Sequence, residues 1–345
     1  MQAAVLERPG SMLLVERDEP ADPGPGEVLV AVRRVGICGT DHHAYRGMQN
    51  FVAYPRVLGH ELAVEALTVG AGVTQIHPGD LCAVLPYVSC GTCRACRRGR
   101  ANCCERINVL GVTQDGGLRE RMVVPVTQLF TDPGLTLDQL VLVETLGVGW
   151  HAVARARPEP HDSVLVLGAG PIGLAVALAA RSRVERLLVG DVSAERVAFA
   201  DASGLDTIYV DDELEAQVLD RNGGALPSIV FDATGSRTSM QAAFGLTGFC
   251  GTLVFVGHTT SSLTFENPPF HARELDVRAS RNATIGDWTE VITASTDGTL
   301  DALRWINHRT TLAGIVAQLP SLATDPGSVV KTVVEVGDGA GESPA

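Results

Sequence analysis

The sequence predicts an α/β protein: a β-rich region, then a doubly wound parallel sheet, then a return to strand. Three observations predict it. From residue 164 onward, short apolar strands at 164–167, 187–189, 208–210, 229–231 and 253–256 alternate with helical stretches such as 172–181 and 194–202. That alternation is the pattern of a parallel sheet with helices on both faces. Before residue 85 the apolar runs are short and broken by Gly and Pro, as in a small barrel or sandwich. After about residue 285, amphipathic segments lead to one more strand at 329–336.

Taken in order, the opening MQAAVLERPG has no apolar run of signal-peptide length and meets Glu7 and Arg8 early, so a cytoplasmic protein is expected. Residues 28–35 (VLVAVRRV) read as a strand, preceded by the turn-forming run 20–26. Further strands are expected at 62–69 and 81–85, punctuated by Gly70, Gly72, Pro78 and Gly79. Residues 90–104 form a polar, Arg-rich lobe with little apolar content, and strand character resumes at 123–126. Residues 137–156 read as a helix. Residues 163–180 carry no charge before Arg181 and approach membrane-spanning length, but Gly168, Gly170, Pro171 and Gly173 interrupt them. A strand, a tight turn and a buried helix explain that stretch better than a span. The tail, 337–345, is expected to be disordered.

The 345 residues suit two domains, and a hydrophobic fraction of 45% allows a large core. A net charge of -13 argues against nucleic acid or an anionic membrane as partner. Arginine supplies nearly all the positive charge, since Lys331 is the only lysine. Eight cysteines are present, five of them between Cys90 and Cys104. In a cytoplasmic chain such clustering reads as a metal site rather than a disulfide framework.

Gly168-Ala169-Gly170-Pro171-Ile172-Gly173 follows an apolar strand and opens an apolar helix, the setting a dinucleotide fingerprint requires. Gly168 permits the tight turn, Gly170 lets a pyrophosphate approach the backbone, and Gly173 lets helix and strand pack closely. The helix N-terminus offers free N–H groups to the phosphates. Asp191, ending the next strand, would accept hydrogen bonds from the adenosine ribose, which favours NAD over NADP. Arg196 nearby leaves room for NADP.

Cys90-x2-Cys93-x2-Cys96-x7-Cys104 supplies four thiolates in a lobe with no core of its own, so a tetrahedral zinc would substitute for one. Cys103 competes with Cys104 for the fourth place, and disulfides or an iron–sulfur cluster are the alternatives. With no open position, this zinc would be structural. Cys82 and Cys250 sit in strand-like surroundings and are expected to be core residues.

The remaining motifs fall in one order: Gly36-Ile37-Cys38-Gly39-Thr40-Asp41, Gly59-His60-Glu61, the four-cysteine lobe, Glu144 before a Gly-rich turn, and the dinucleotide fingerprint. This resembles the zinc-dependent medium-chain alcohol dehydrogenase family over essentially the whole chain. The resemblance implies a GroES-like catalytic domain (1–148, with the structural-zinc lobe at 88–106), an inserted Rossmann domain (149–285) and a return to the catalytic domain (286–345). It implies two zinc ions per chain. The catalytic one would be held by Cys38, His60 and a carboxylate: Glu144, as in polyol dehydrogenases, or Glu61, the family's alternate ligand. Asp41 would orient His60 through its ring N–H. Zinc would lower the pKa of a bound alcohol, which then passes a hydride to the nicotinamide. The proton would leave through the Thr40 hydroxyl, the cofactor ribose and His43. His42 has no assigned role and is expected to face solvent.

Asp232 to Gly235 (Thr234 among them), Val256, Gly257 and Arg281 are expected to line the cofactor site. Gly39, where ethanol-type enzymes often carry a basic residue, points to secondary alcohols on polar substrates. Ala44-Tyr45-Arg46-Gly47, Phe51, Tyr54-Pro55-Arg56 and Ser280-Arg281-Asn282-Ala283-Thr284 resemble the branch that oxidises hexonates, where Arg46, Arg56 or Arg281 could hold a carboxylate. Threonine or simple alcohols are alternative substrates, and a non-catalytic NAD-binding sensor is the rival class. A homodimer or homotetramer is implied, through a sheet edge near 253–265.

Overall fold

The computed structural model describes residues 1–325 and 327–337, and the rest of the expected disordered tail lies outside the described residues. The chain forms two compact units, Met1–Glu144 with Thr289–Ala345, and Thr145–Trp288.

The first unit is built on a sheet in the order Leu129–Thr131, Leu81–Val84, Glu61–Val69, Glu27–Ile37, Lys331–Glu335, Ile306–Thr311. Arg121–Pro125 pairs with the first half of Glu27–Ile37. Val28, Val30, Val32 and Val35 enter the core, together with Leu62, Val64 and Ala66 from the neighbouring strand. The register is what matters for chemistry. Gly36 stands opposite Glu61, and Ile37 opposite Thr332. The end of one strand, which runs into Cys38, therefore meets the start of a second at Glu61 and of a third at Lys331.

A small sheet of Ser11–Glu16, Gln2–Arg8 and Arg56–Val57 completes this unit, and the sequence reading missed its hairpin. Ala3, Ala4, Val5 and Leu6 are all fully buried, so this strand shows a continuous apolar run instead of the alternation that marks a half-buried one. Ile306–Thr311, INHRTT, was missed because it is polar along its length.

The second unit is a six-stranded parallel sheet in the order Asp206–Tyr209, Arg186–Asp191, Ser163–Leu167, Ile229–Asp232, Thr252–Phe255, Asp276–Ala279. Counted along the chain this is 3-2-1-4-5-6, the doubly wound dinucleotide-binding order, with a switch point at the first strand. Leu165, Leu167, Leu188, Ile208, Val230 and Leu253 supply its core. The uncharged stretch resolves into the strand Ser163–Leu167 and the helix Pro171–Arg181. No helix among the described residues is long and apolar enough to cross a membrane. The expected sheet edge near 253–265 is corrected: Thr252–Phe255 has neighbours on both sides, and the edge is Asp276–Ala279.

Candidate active site

Cys38 ends the strand Glu27–Ile37 in an extended conformation and precedes the helix Gly39–Tyr45. Asp41, almost fully buried, fixes this junction. Its Oδ2 accepts the Cys38 N–H at 2.9 Å, and its Oδ1 accepts the Gly59 N–H at 3.3 Å. One carboxylate thus ties the segment bearing Cys38 to the segment bearing His60. The expected hydrogen bond from His60 to Asp41 is absent: Nδ1 lies 3.9 Å from Oδ1, which is electrostatic contact only. Gly59, at φ +92°, turns the chain into His60, and a Cβ on Gly116 would come within 2.2 Å of the Gly59 carbonyl.

Donor atoms of Cys38, His60 and Glu61 lie within 4.8 Å of one another. Both Glu61 oxygens accept from Lys331 Nζ at 2.7 Å, and the two side chains are only 1% and 2% exposed. Room for that pair comes from Gly36, where a Cβ would stand 2.0 Å from Glu61 Oε2. Glu144, on the helix Leu137–Ala156, is buried as well and accepts a hydrogen bond from the Tyr87 hydroxyl. Burial, then the neighbouring Glu61, push the Glu144 pKa up, against the opposing pull of His60, Tyr87 and Lys331. Burial also raises the Tyr87 pKa well above the usual phenol value, although part of its ring stays exposed. For His60, burial opposes the charged ring, but Asp41, Cys38 and Glu144 outweigh it and raise the pKa well above 6.5. A dication at this place would reverse that balance.

The donor set fits zinc. A thiolate, an imidazole and a carboxylate are its usual ligands, and donors around a tetrahedral zinc stand ~3.3–3.8 Å apart, a small contraction from the spacing here. His60 Nδ1 is buried without a hydrogen-bond partner, while the ring also meets the Cys38 thiol.

Beside this cluster Thr40 is half-buried and His43 exposed. His42 does not face solvent as expected: it is half-buried, its Nε2 is buried without a partner, and burial lowers its pKa.

In the lobe, Cys90, Cys93, Cys96 and Cys104 bring their sulfurs within 4.8 Å of one another, while Cys103 is exposed and outside the group. Backbone N–H of Thr92 and the Arg106 guanidinium hold the Cys90 thiol down at about 5, whereas burial pushes Cys96 up to about 11. The lobe closes at its base on the ribbon Tyr87–Val88 with Asn108–Val109. Cys82 is buried as expected, but Cys250 is not a core residue: it is exposed in a turn at φ +54°.

The Gly-rich loop has the conformation its sequence demands. Gly168 takes φ +98°, and a Cβ on Gly173 would stand 1.7 Å from the Gly168 carbonyl. Gly170 meets nothing nearer than Arg196 Nη1 at 3.6 Å, so its face is open to a phosphate. Pro171 and Ile172 begin the helix, half-buried. Asp191 accepts the Ala169 N–H at 2.7 Å and the Ser193 N–H at 2.9 Å, which locks the loop to the end of its strand. Arg196 Nη1 is 4.0 Å from Asp191. Thr234 bonds to Asp232 and packs against Gly168, and the N–H groups of Val256 and Gly257 both donate to the Asp232 carbonyl at 2.9 Å. Arg281 and Arg46 are exposed, and Arg56 pairs with Asp115 at 3.2 Å.

Sequence reasoning missed Tyr87 altogether and saw Lys331 only as a compositional oddity. A further buried network, His151 Nδ1 on Asp287 at 2.9 Å with Thr284 on the same carboxylate at 2.6 Å, also went unseen.

Comparison with known proteins identifies the family. The alcohol dehydrogenase GroES-like domain model matches residues 24–134, and the zinc-binding dehydrogenase model matches residues 171–297. L-galactonate-5-dehydrogenase of Escherichia coli (strain K12) is 39% identical over 312 residues, 90% of this chain and 91% of that protein. L-idonate 5-dehydrogenase of Vitis vinifera is 33% identical over 306 residues, 84% of this chain and 82% of that protein. Among solved structures, the alcohol dehydrogenase RspB of E. coli CFT073, complexed with NADH, matches with a TM-score of 0.89 at 30% identity, over 97% of this chain and 99% of its own.

Proposed function

This chain belongs to the zinc-dependent medium-chain alcohol dehydrogenase family, and we propose that it oxidises a secondary alcohol of a sugar acid, a hexonate, to the ketone with NAD as hydride acceptor. The observation that carries the reading is the gathering of Cys38, His60 and Glu61 within 4.8 Å of one another, with the buried Glu144 acting electrostatically on His60, in a chain whose other unit carries an open Gly-rich loop. Two relatives named for hexonate 5-dehydrogenation support the substrate class.

Cys38, His60 and one carboxylate would hold the catalytic zinc, and the four lobe cysteines a structural one. When bound, zinc supplies Lewis acidity to the substrate hydroxyl, and NAD supplies the hydride acceptor. Asp41 keeps the Cys38 and His60 segments in register. The Thr40 hydroxyl takes the substrate proton, and His43, at the surface, delivers it to solvent, a role that needs an exposed imidazole. Gly168 to Gly173 cradle the pyrophosphate, Asp191 takes the adenosine ribose, and Thr234, Val256, Gly257 and Arg281 line the rest of the cofactor site. The protein would work as a cytoplasmic homodimer or homotetramer.

The test is a panel of L-galactonate, L-idonate, sorbitol, threonine and simple alcohols, read by reduced-cofactor absorbance with NAD and with NADP. A hexonate should give the highest kcat/KM, with NAD preferred. Preference for simple alcohols would overturn the substrate class, and preference for NADP would shift the ribose contact from Asp191 to Arg196.

A further inference from the structure

The first unit has an open cleft of about 570 Å³, a size that suits a small molecule, and no residue gathered around Cys38 lines it. Arg17, Arg119, Glu16 and Asp18 bring charge to its wall, and Pro20 and Val123 bring apolar surface. These charges are not equivalent. Arg17 donates to Asp115 at 2.9 Å, and the same carboxylate accepts from Arg56 at 3.2 Å and from the Val57 N–H at 3.1 Å. Asp115 is therefore already engaged by two guanidiniums. Arg119 is a third beside it, and among the described residues no acceptor bonds its side chain; its Nε is buried without a partner. Burial lowers its pKa against the pull of Asp115, but a guanidinium keeps its charge in a protein. Glu16 has the N-terminal ammonium at 3.6 Å, whereas Asp18 is exposed and makes no ion pair among the described residues. The cleft thus offers one unmatched cation, half-buried, and one unmatched carboxylate on its exposed side. A plain anion would suit Arg119 and be repelled by Glu16 and Asp18; a plain cation would suffer the reverse. A molecule carrying both charges suits the pair.

We propose that this cleft binds a zwitterionic amino acid with an apolar side chain. The carboxylate meets the Arg119 guanidinium, the ammonium turns toward Asp18, and the side chain lies against Pro20 and Val123. Such a site stands whether or not the chain oxidises a hexonate, because none of these residues holds the metal or the cofactor.

Leucine titrated into the full chain in a calorimeter tests this. Wild type should bind it saturably. Arg119→Gln should weaken binding ~10-fold or more, as the loss of a hydrogen-bonded charge does. Asp18→Asn should weaken it about three-fold, because an exposed charge is screened. Truncating the probe should mirror the variants: 3-methylbutylamine, leucine without its carboxylate, should bind wild type ~10-fold more weakly or worse, and 4-methylpentanoate, leucine without its ammonium, at least about three-fold more weakly. Asp18→Asn lies at an exposed position and keeps the test decisive even if Arg119→Gln folds poorly. No saturable binding by wild type would overturn the site. So would leucine affinity unchanged in both variants, the result expected if leucine only chelated a metal elsewhere. Binding of 4-methylpentanoate as tight as that of leucine would overturn the amino-acid class.

Discussion

Lys331 is buried against Glu61 in a chain that draws every other positive side chain from arginine. Burial alone would strip its proton, but Glu61 and then Cys38 outweigh burial and raise its pKa. Lys331→Met would remove the cation that both Glu61 oxygens bond in the buried site and should cost about 3–5 kcal/mol in denaturant unfolding. Adding Glu61→Leu should recover most of that loss, because a buried ion pair is replaced more cheaply than it is broken. A single variant as stable as wild type would mean that the pair is not needed to hold the site closed. At this scale the grouping of the lobe cysteines was legible from their spacing alone, whereas Cys38 and His60, far apart along the chain, were expected only through the family that their motifs resemble. Tyr87 and Lys331 were not, because a tyrosine or a lysine meets a carboxylate 57 or 270 residues away only once the sheet register is known. His42 and Cys250 were misjudged for the same reason, since burial is a property of the packed fold.

Among the elements, the cysteine lobe would depend most on a bound metal. Its helix Arg94–Arg97 is one turn long with no buried residue, and the lobe has few apolar contacts beyond its four gathered sulfurs. Chelating the metal should make trypsin cut at Arg94, Arg97, Arg98 and Arg100 far faster than in the loaded protein, and equal cutting rates would show that the lobe folds without it. The segment Ile285–Thr296 is fastened at its start by Asp287, which accepts from Thr284 N–H at 2.7 Å and from His151. Burial raises the Asp287 pKa, but the hydrogen bonds from His151 and Thr284 outweigh it and leave the pKa lowered. A depressed native pKa stabilises the fold fully above the unfolded value of about 4 and loses that contribution as pH falls through the native one. Wild type should therefore exceed Asp287→Asn in stability at pH 6 by more than at pH 3, and a constant gap in the two melting curves would remove this carboxylate from the acid response. The helix Leu137–Ala156 and the βα alternation were legible because their periods are long and apolar. The N-terminal hairpin, the polar strand Ile306–Thr311 and the exposed edge Asp276–Ala279 lack any such period.

For the molecule as a whole, the two-unit plan followed from composition and order: many short broken strands, then five apolar strands at regular intervals. The strand order around the switch point does not depend on any single residue, and it sets the Gly-rich loop at the C-terminal end of the first strand. The first unit does the same for the candidate metal ligands by register, bringing the strand end before Cys38, the strand start at Glu61 and Lys331 to one place. On the function proposed above, this convergence would hold a second zinc distinct from that of the lobe. Elemental analysis of purified protein tests it most directly. Wild type should carry two zinc ions per chain, and Cys38→Ser should carry one. One zinc in wild type, or two in Cys38→Ser, would contradict it.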